Sequence, residues 1–121
     1  MNIKFKHHHL NNGNILTVCS AISTMIDESL TLVHLGYAMF NANDKEWNRK
    51  KGNKLARSRL LNSGIYFTMD PCDPISHNYL CYRALITLLL AAKEGGVFLP
   101  KKSLAMIAEE AASYLLYRIE W

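Results

Sequence analysis

Residues 30–40 read LTLVHLGYAMF, residues 41–44 read NAND, and residues 45–62 read KEWNRKKGNKLARSRLLN. The first block is apolar at odd and even positions alike, as in a strand flanked by others or covered on two sides, and is read as the central strand of a sheet. In the third block Trp47, Lys51, Leu55 and Arg59 recur at intervals of four, with Ala56 and Leu60 beside Leu55, so a helix is expected over roughly 45–62. Asn43 or Asp44 is its expected N-cap and Gly64 its stop. Gly52 in its middle costs about 1 kcal/mol relative to Ala and points to a close backbone approach there.

Toward the N-terminus, Ile3 to Leu10 and Ile15 to Ser23 are β-prone runs separated by Asn11-Asn12-Gly13-Asn14, and Asn-Gly supplies the positive φ angles of a tight hairpin turn. Alternation places Ile3, Phe5, His7 and His9 on one face of the first strand and Lys4, Lys6 and His8 on the other. One face is expected to be wet and the histidines to form an exposed cluster. Asp27, Glu28 and Ser29 break the chain before the central strand. Toward the C-terminus, Ile65 to Met69 is a candidate short strand, and Asp73 before Pro74 is the expected start of a helix ending near Lys93, at Glu94-Gly95-Gly96. Ser103 can cap a last helix whose stripe is Leu104, Ile107, Ala108, Ala111, Leu115 and Ile119.

These elements predict an α+β fold: a small antiparallel sheet, made of the N-terminal hairpin and the central strand, covered by about three helices. With 121 residues, 50% of them hydrophobic, and only nine Gly and Pro together, the chain is neither a disordered tail nor a fibrous repeat. A single domain over residues 1–121 is expected, divided into a β-rich part (1–43), the basic helix (44–63) and a mainly helical part (64–121). The apolar run 84–92 is far shorter than the roughly 20 residues that cross a bilayer. Lys4, Lys6 and three histidines stand where a signal peptide needs apolar residues. Cys19, Cys72 and Cys81 form no C-x-x-C pair and leave one thiol over, which suits a reducing compartment. A cytoplasmic protein without membrane contact is the expectation.

The formal charge of +4 is concentrated. Residues 44–59 hold seven basic and two acidic residues, a local net of +5, so the remainder of the chain is slightly negative. At 100° per residue Lys50, Lys54 and Arg57 share a face, with Arg49 close by, while Trp47, Leu55 and Ala56 point elsewhere. Arg offers a planar fork and Lys a point charge, a mixture suited to phosphates rather than to reading a base sequence. The candidate ligand-binding residues are therefore Arg49, Lys50, Lys54, Arg57 and Arg59, with Tyr37, Phe40 and Trp47 as rings on which a base could stack and Asn41, Asn43 and Ser63 as nearby hydrogen-bonding groups. The alternative for the charges is a solvated helix face, and for the rings a place in the core.

No G-x-x-x-x-G-K-[ST], G-x-G-x-x-G or nucleophile elbow occurs in the chain, so neither a standard nucleotide loop nor an enzyme is expected. His7 and His9 could share a metal ion, but a closed site needs two further ligands that no spacing supplies, so neither metal nor cofactor is expected. The last two helices carry apolar residues on more than one face, among them Leu90, Tyr114, Leu116, Tyr117 and Trp121, a surplus that points to a homo-oligomer.

The segment from Gly36 to Leu60 resembles small phage-encoded proteins that join a strand to a basic helix: a Gly-x-Ala strand end (Gly36, Ala38), an acidic turn, an aromatic (Trp47), Arg49-Lys50, Gly52 and a closing Ala56-x-x-Arg59-Leu60. An Asn-Gly hairpin, here Asn12-Gly13, precedes it. The family suggested by this resemblance is the Thoeris anti-defence sponges of phages, which bind cyclic ADP-ribose-type signals without cleaving them. Asn53 stands where that pattern tends to be basic, and Asn41-Ala42-Asn43 replaces a Cys-x-Pro-type turn. The resemblance implies an oligomeric, non-enzymatic binder of an anionic nucleotide signal, of the cyclic ADP-ribose or cyclic-nucleotide type. Two other readings of the same residues are an anti-CRISPR-like inhibitor that faces a nucleic-acid-binding complex, and a protein–protein interaction module.

Overall fold

The computed structural model describes residues 2–24, 30–43, 46–60, 62, 64–70, 73 and 76–115. Strands β1 (Asn2–His9), β2 (Ile15–Thr24), β3 (Thr31–Phe40) and β4 (Ile65–Met69) form one antiparallel sheet in chain order, with helix α1 (Arg49–Leu60) inserted between β3 and β4. Helices α2 (His77–Lys93) and α3 (Lys101–Ser113) follow. The α+β expectation holds, and the candidate strand at Ile65–Met69 is the sheet's fourth member.

β2 and β3 are interior strands, and their side chains are buried on both faces. Leu16 and Val18 of β2 join Val33 and Leu35 of β3 and Ile65, Phe67 and Met69 of β4 beneath α2 and α3, which contribute Leu80, Ala84, Leu85, Leu88, Ile107 and Ala111. The opposite face is built from small residues: Cys19, Ala21 and Ala38 lie against Ala56 and Leu60 of α1, with Ile3, Phe5, Phe40 and Leu55 around them. This difference in side-chain size sets how close each helix lies. On the second face, Gly36 is the point of nearest approach, because a Cβ there would collide with the Ala56 carbonyl and stand 2.6 Å from Leu60 N. Gly52 makes the reciprocal approach, since a Cβ on it would sit 2.7 Å from Thr17 Oγ1. The glycine in mid-helix is thus explained by packing.

Several boundaries differ from the sequence reading. α1 begins at Arg49, because the Asn48 carboxamide accepts from Lys51 N at 2.8 Å and so acts as the cap. Asn43 belongs to the preceding turn, and Asp44 lies outside the described residues. Trp47 precedes the helix instead of occupying its first turn. Only Gly13 of the hairpin loop has a positive φ, +85°, and the loop spans Leu10 to Asn14, closed by Leu10 N donating to Asn14 O at 2.9 Å. Ser76, not Asp73, caps α2, accepting from Tyr79 N at 3.2 Å; Pro74 lies outside the described residues. α3 starts at Lys101, with Pro100 in the cap position and no side-chain cap bond. Ser103 is instead buried within it, accepting from Asn14 Nδ2 at 3.2 Å. The Asp27–Ser29 break, Cys72 and the stripe's last member, Ile119, also lie outside the described residues.

No helix among the described residues is long and apolar enough to cross a membrane. Gly36→Ala is expected to destabilise the fold by about 3 kcal/mol or more, because backbone, not a flexible side chain, meets the new methyl. Gly96→Ala, whose Cβ would lie 3.6 Å from the Ala91 carbonyl, is the control and leaves the urea midpoint nearly unchanged.

Candidate functional site

α1 buries Gly52, Ala56 and Leu60, one residue per turn, half-buries Asn53 and Leu55 beside them, and gives the remaining positions to solvent. Arg49, Lys50, Lys51, Lys54, Arg57 and Arg59 are all exposed. Its first turn carries three cations and no acidic residue, at the end where unpaired N–H groups already make the field positive. Lys50 and Lys54 repeat the like charge one turn apart. Among the described residues the helix has one acidic partner, Glu46, whose Oε2 lies 3.8 Å from Lys51 Nζ with both side chains largely exposed. Such a pair contributes under about 1 kcal/mol.

Two hollows flank this face. A depression of about 230 Å³ is lined by Lys51, Lys54, Leu55 and Ser58. A cleft of about 330 Å³ is lined by Tyr37, Ser58, Arg59, Asn62, Ile65 and Gly96. Ser58 is common to both. In the cleft, Arg59 Nη1 donates to Tyr37 O at 3.1 Å and its guanidinium lies 5.5 Å from the centre of the Tyr37 ring. β4 pairs with β3 only as far as Leu35, so the backbone of β3 beyond it is open on that side and Arg59 takes up the Tyr37 carbonyl.

The three candidate rings do not converge. Tyr37 packs toward the α2–α3 side and donates to the Phe98 carbonyl at 3.3 Å, whereas Phe40 lies on the α1 side. Phe40 meets Trp47 edge-on at 6.2 Å before the start of α1. Trp47 in turn meets His7 at 5.6 Å and His9 at 6.4 Å. Strand alternation separates Tyr37 from Phe40, and of the three candidate rings Tyr37 is the one over which a cation, Arg59, lies within the cleft. Asn41 and Asn43 are exposed, and Ser63 lies outside the described residues.

The histidines are not a uniformly exposed cluster. His9 is exposed, and His7 is half-buried with Nδ1 2.8 Å from Thr17 Oγ1. Burial, with Arg49 nearby, holds His7 below its ordinary pKa; Asn53 works in the opposite sense. His8 is 1% exposed although Lys4 and Lys6 on the same face are exposed: it lies beside His77, Leu80, Cys81 and Ala84 of α2, its Nδ1 is 3.4 Å from Glu110 Oε1 and its ring meets Tyr114 edge-on at 6.1 Å. Burial, reinforced by the field of Lys6, pulls its pKa down to about 3. The long contact with Glu110 does not offset that burial.

Nucleophile chemistry is equally constrained. Burial pushes the Cys19 thiol up to about 11 and raises Cys81, so both buried cysteines are protonated near neutrality and weakly reactive. Cys81 Sγ lies 3.5 Å from His77 Nε2, whose own pKa burial lowers. No group of three His, Cys, Asp or Glu among the described residues could hold a metal ion.

No family model, curated protein or solved structure matches this chain.

Acid sensitivity follows from His8. The unfolded chain binds a proton on it near pH 6.5 and the folded one only near 3, so the unfolded state holds more protons between those values and stability falls as pH drops through that window. His7 and His77 act in the same direction. Between pH 6.5 and 4.5 His8 alone is expected to remove roughly 2 kcal/mol, read from urea midpoints, and His8→Leu to flatten that slope.

Proposed function

We propose that this protein binds a phosphate-bearing nucleotide signal on the outward side of α1 and sequesters it without cleavage, as an anti-defence protein of the phage type. The observation that carries the reading is the uncompensated charge of α1: three cations in its first turn, followed by Lys54 and Arg57, with Glu46 as the single acidic partner among the described residues. Such an arrangement repels itself in the free protein, and a bound phosphate relieves it. Its position beside two hollows that share Ser58 suits a ligand with phosphate over Lys51 and Lys54 and a sugar or base at Arg59 and Asn62. The cleft falls at the lower end of the range typical of small-molecule sites. Its arginine-covered tyrosine supplies a planar surface and Asn62 a hydrogen-bonding edge.

A second reading has its own observation in favour. Arg49, Lys50 and Arg57 stand on an exposed helix outside the two hollows, a surface on which an extended polyanion can lie. On that reading the protein faces a nucleic-acid-binding complex, and binding falls steeply with salt because each phosphate contact releases a counterion.

Native mass spectrometry with cyclic nucleotides, cyclic ADP-ribose isomers and a short single-stranded oligonucleotide at two salt concentrations separates the two. A small ligand retained intact is the expected result. Lys54→Ala with Arg59→Ala is expected to weaken its retention about tenfold or more, since a charge-assisted hydrogen bond contributes roughly 1.5–3 kcal/mol. Retention of the oligonucleotide alone, lost at high salt, selects the second reading. If Arg49→Ala, Lys50→Ala and Arg57→Ala together with that pair leave every anionic ligand bound as before, both readings are wrong and a protein partner takes their place.

A further inference from the structure

β4 is an edge of the sheet. Its Ile65, Phe67 and Met69 side chains are buried beneath α2, while Tyr66 and Thr68 face the other way, with Tyr66 56% exposed. In an antiparallel ladder, residues alternate between bonding their neighbour and turning N–H and C=O outward. Arg83 Nη2 reaches the Thr68 carbonyl at 3.1 Å, which marks Thr68, and by alternation Tyr66, as the residues whose backbone groups point away from β3. Beside this edge runs a groove of about 680 Å³. Its second wall is formed by Arg83, Thr87, Leu90 and Ala91 of α2 with Glu94 at its C-cap. Arg83 stands at the Thr68 end, and the chain leaves α2 at Gly95-Gly96 near Ile65.

We infer that the occupant of this groove is a second copy of the chain, with β4 pairing antiparallel to the partner's β4 about a two-fold axis at Phe67. Two independent features are self-complementary under that one operation. On the strand, the axis sets Tyr66 opposite the partner's Thr68 and Thr68 opposite the partner's Tyr66, so the outward-turned residues meet each other and exchange backbone bonds. On the helix, the same reversal brings the Arg83 end of α2 to the Glu94 end of its copy and sets Thr87 against the partner's Leu90. The Arg83 guanidinium, 3.9 Å from Asp73 Oδ2 of its own chain, comes beside the partner's Glu94 at both ends as a second carboxylate partner, and Leu90, 55% exposed in the single chain, is covered at the centre. An unrelated extended peptide would use the strand groups but not the charge order along α2, which is why a second copy is favoured. α1 packs on the other face of the sheet, so the pairing leaves both basic helices exposed and does not depend on the ligand reading.

Sedimentation velocity of the full chain over a concentration series tests this. The expected mass is twice the 13.8 kDa of one chain. Thr68→Pro removes an outward N–H, at a position where an edge strand tolerates proline, and is expected to give a folded monomer by circular dichroism. Glu94→Arg, at an exposed position, weakens association at least tenfold, while Lys93→Ala, outside the groove, leaves it unchanged. A monomer at every concentration overturns the inference. So does a dimer that both Thr68→Pro and Glu94→Arg leave intact, which would place the interface elsewhere; if Thr68→Pro does not fold, Glu94→Arg alone decides.

Discussion

Contact between the α1 backbone and the sheet at Gly36 is the constraint on which the other features depend. Helices ordinarily rest on side chains, but here the Ala56 carbonyl and Leu60 N stand where a β-carbon of β3 would be. Such an approach demands small residues on the sheet, which Cys19, Ala21 and Ala38 provide, and a narrow buried stripe on the helix, which Gly52, Ala56 and Leu60 provide. A narrow stripe leaves most of the helix surface to water. The concentration of charge on α1 is thus permitted by its packing: a wider apolar contact would have claimed the positions that Lys54 and Arg57 occupy.

The two faces of the sheet divide the chemistry between them. Large aliphatic residues under α2 and α3 supply most of the buried apolar surface, and with it most of the hydrophobic stabilisation. His8 loses its water on that side, where burial holds it neutral, while Thr17 and, in part, His7 do so on the α1 side. The α1 side has little apolar bulk and carries the cations at its outer surface. The α1 cations and the main hydrophobic mass lie on opposite sides of one four-stranded layer, so changes to the cationic surface have little direct hold on the main core.

Much of this was legible in the residues. The two-sided burial of β3 follows from LTLVHLGYAMF, and the outward face of α1 follows from helical spacing at Lys50, Lys54 and Arg57. Gly52 announced its close approach by its cost. Two misplacements have physical reasons. The start of α1 moved to Arg49 because several Asn and Asp residues could have capped it, and only tertiary placement of Trp47 before the helix selects Asn48. His8 was unreadable as a core residue because what buries it, the first turns of α2 and the Glu110–Tyr114 end of α3, is distant in sequence. The separation of Tyr37 from Phe40 did have a signal: three positions apart on one strand, they must face opposite sides.

Asn14 joins parts of the chain that are otherwise brought together only by the completed fold. Its Oδ1 accepts from Ala42 N at 2.9 Å, 28 residues away, and its Nδ2 donates to Ser103 Oγ at 3.2 Å, 89 residues away. One carboxamide thereby pins the hairpin loop to the turn after β3 and to the first turns of α3. The Ala42 amide lies outside the sheet ladder, so its protection from hydrogen exchange reports whether this loop is seated rather than whether the sheet is intact. A single backbone proton then distinguishes local release of the hairpin tip from global unfolding, and does so without altering the sequence.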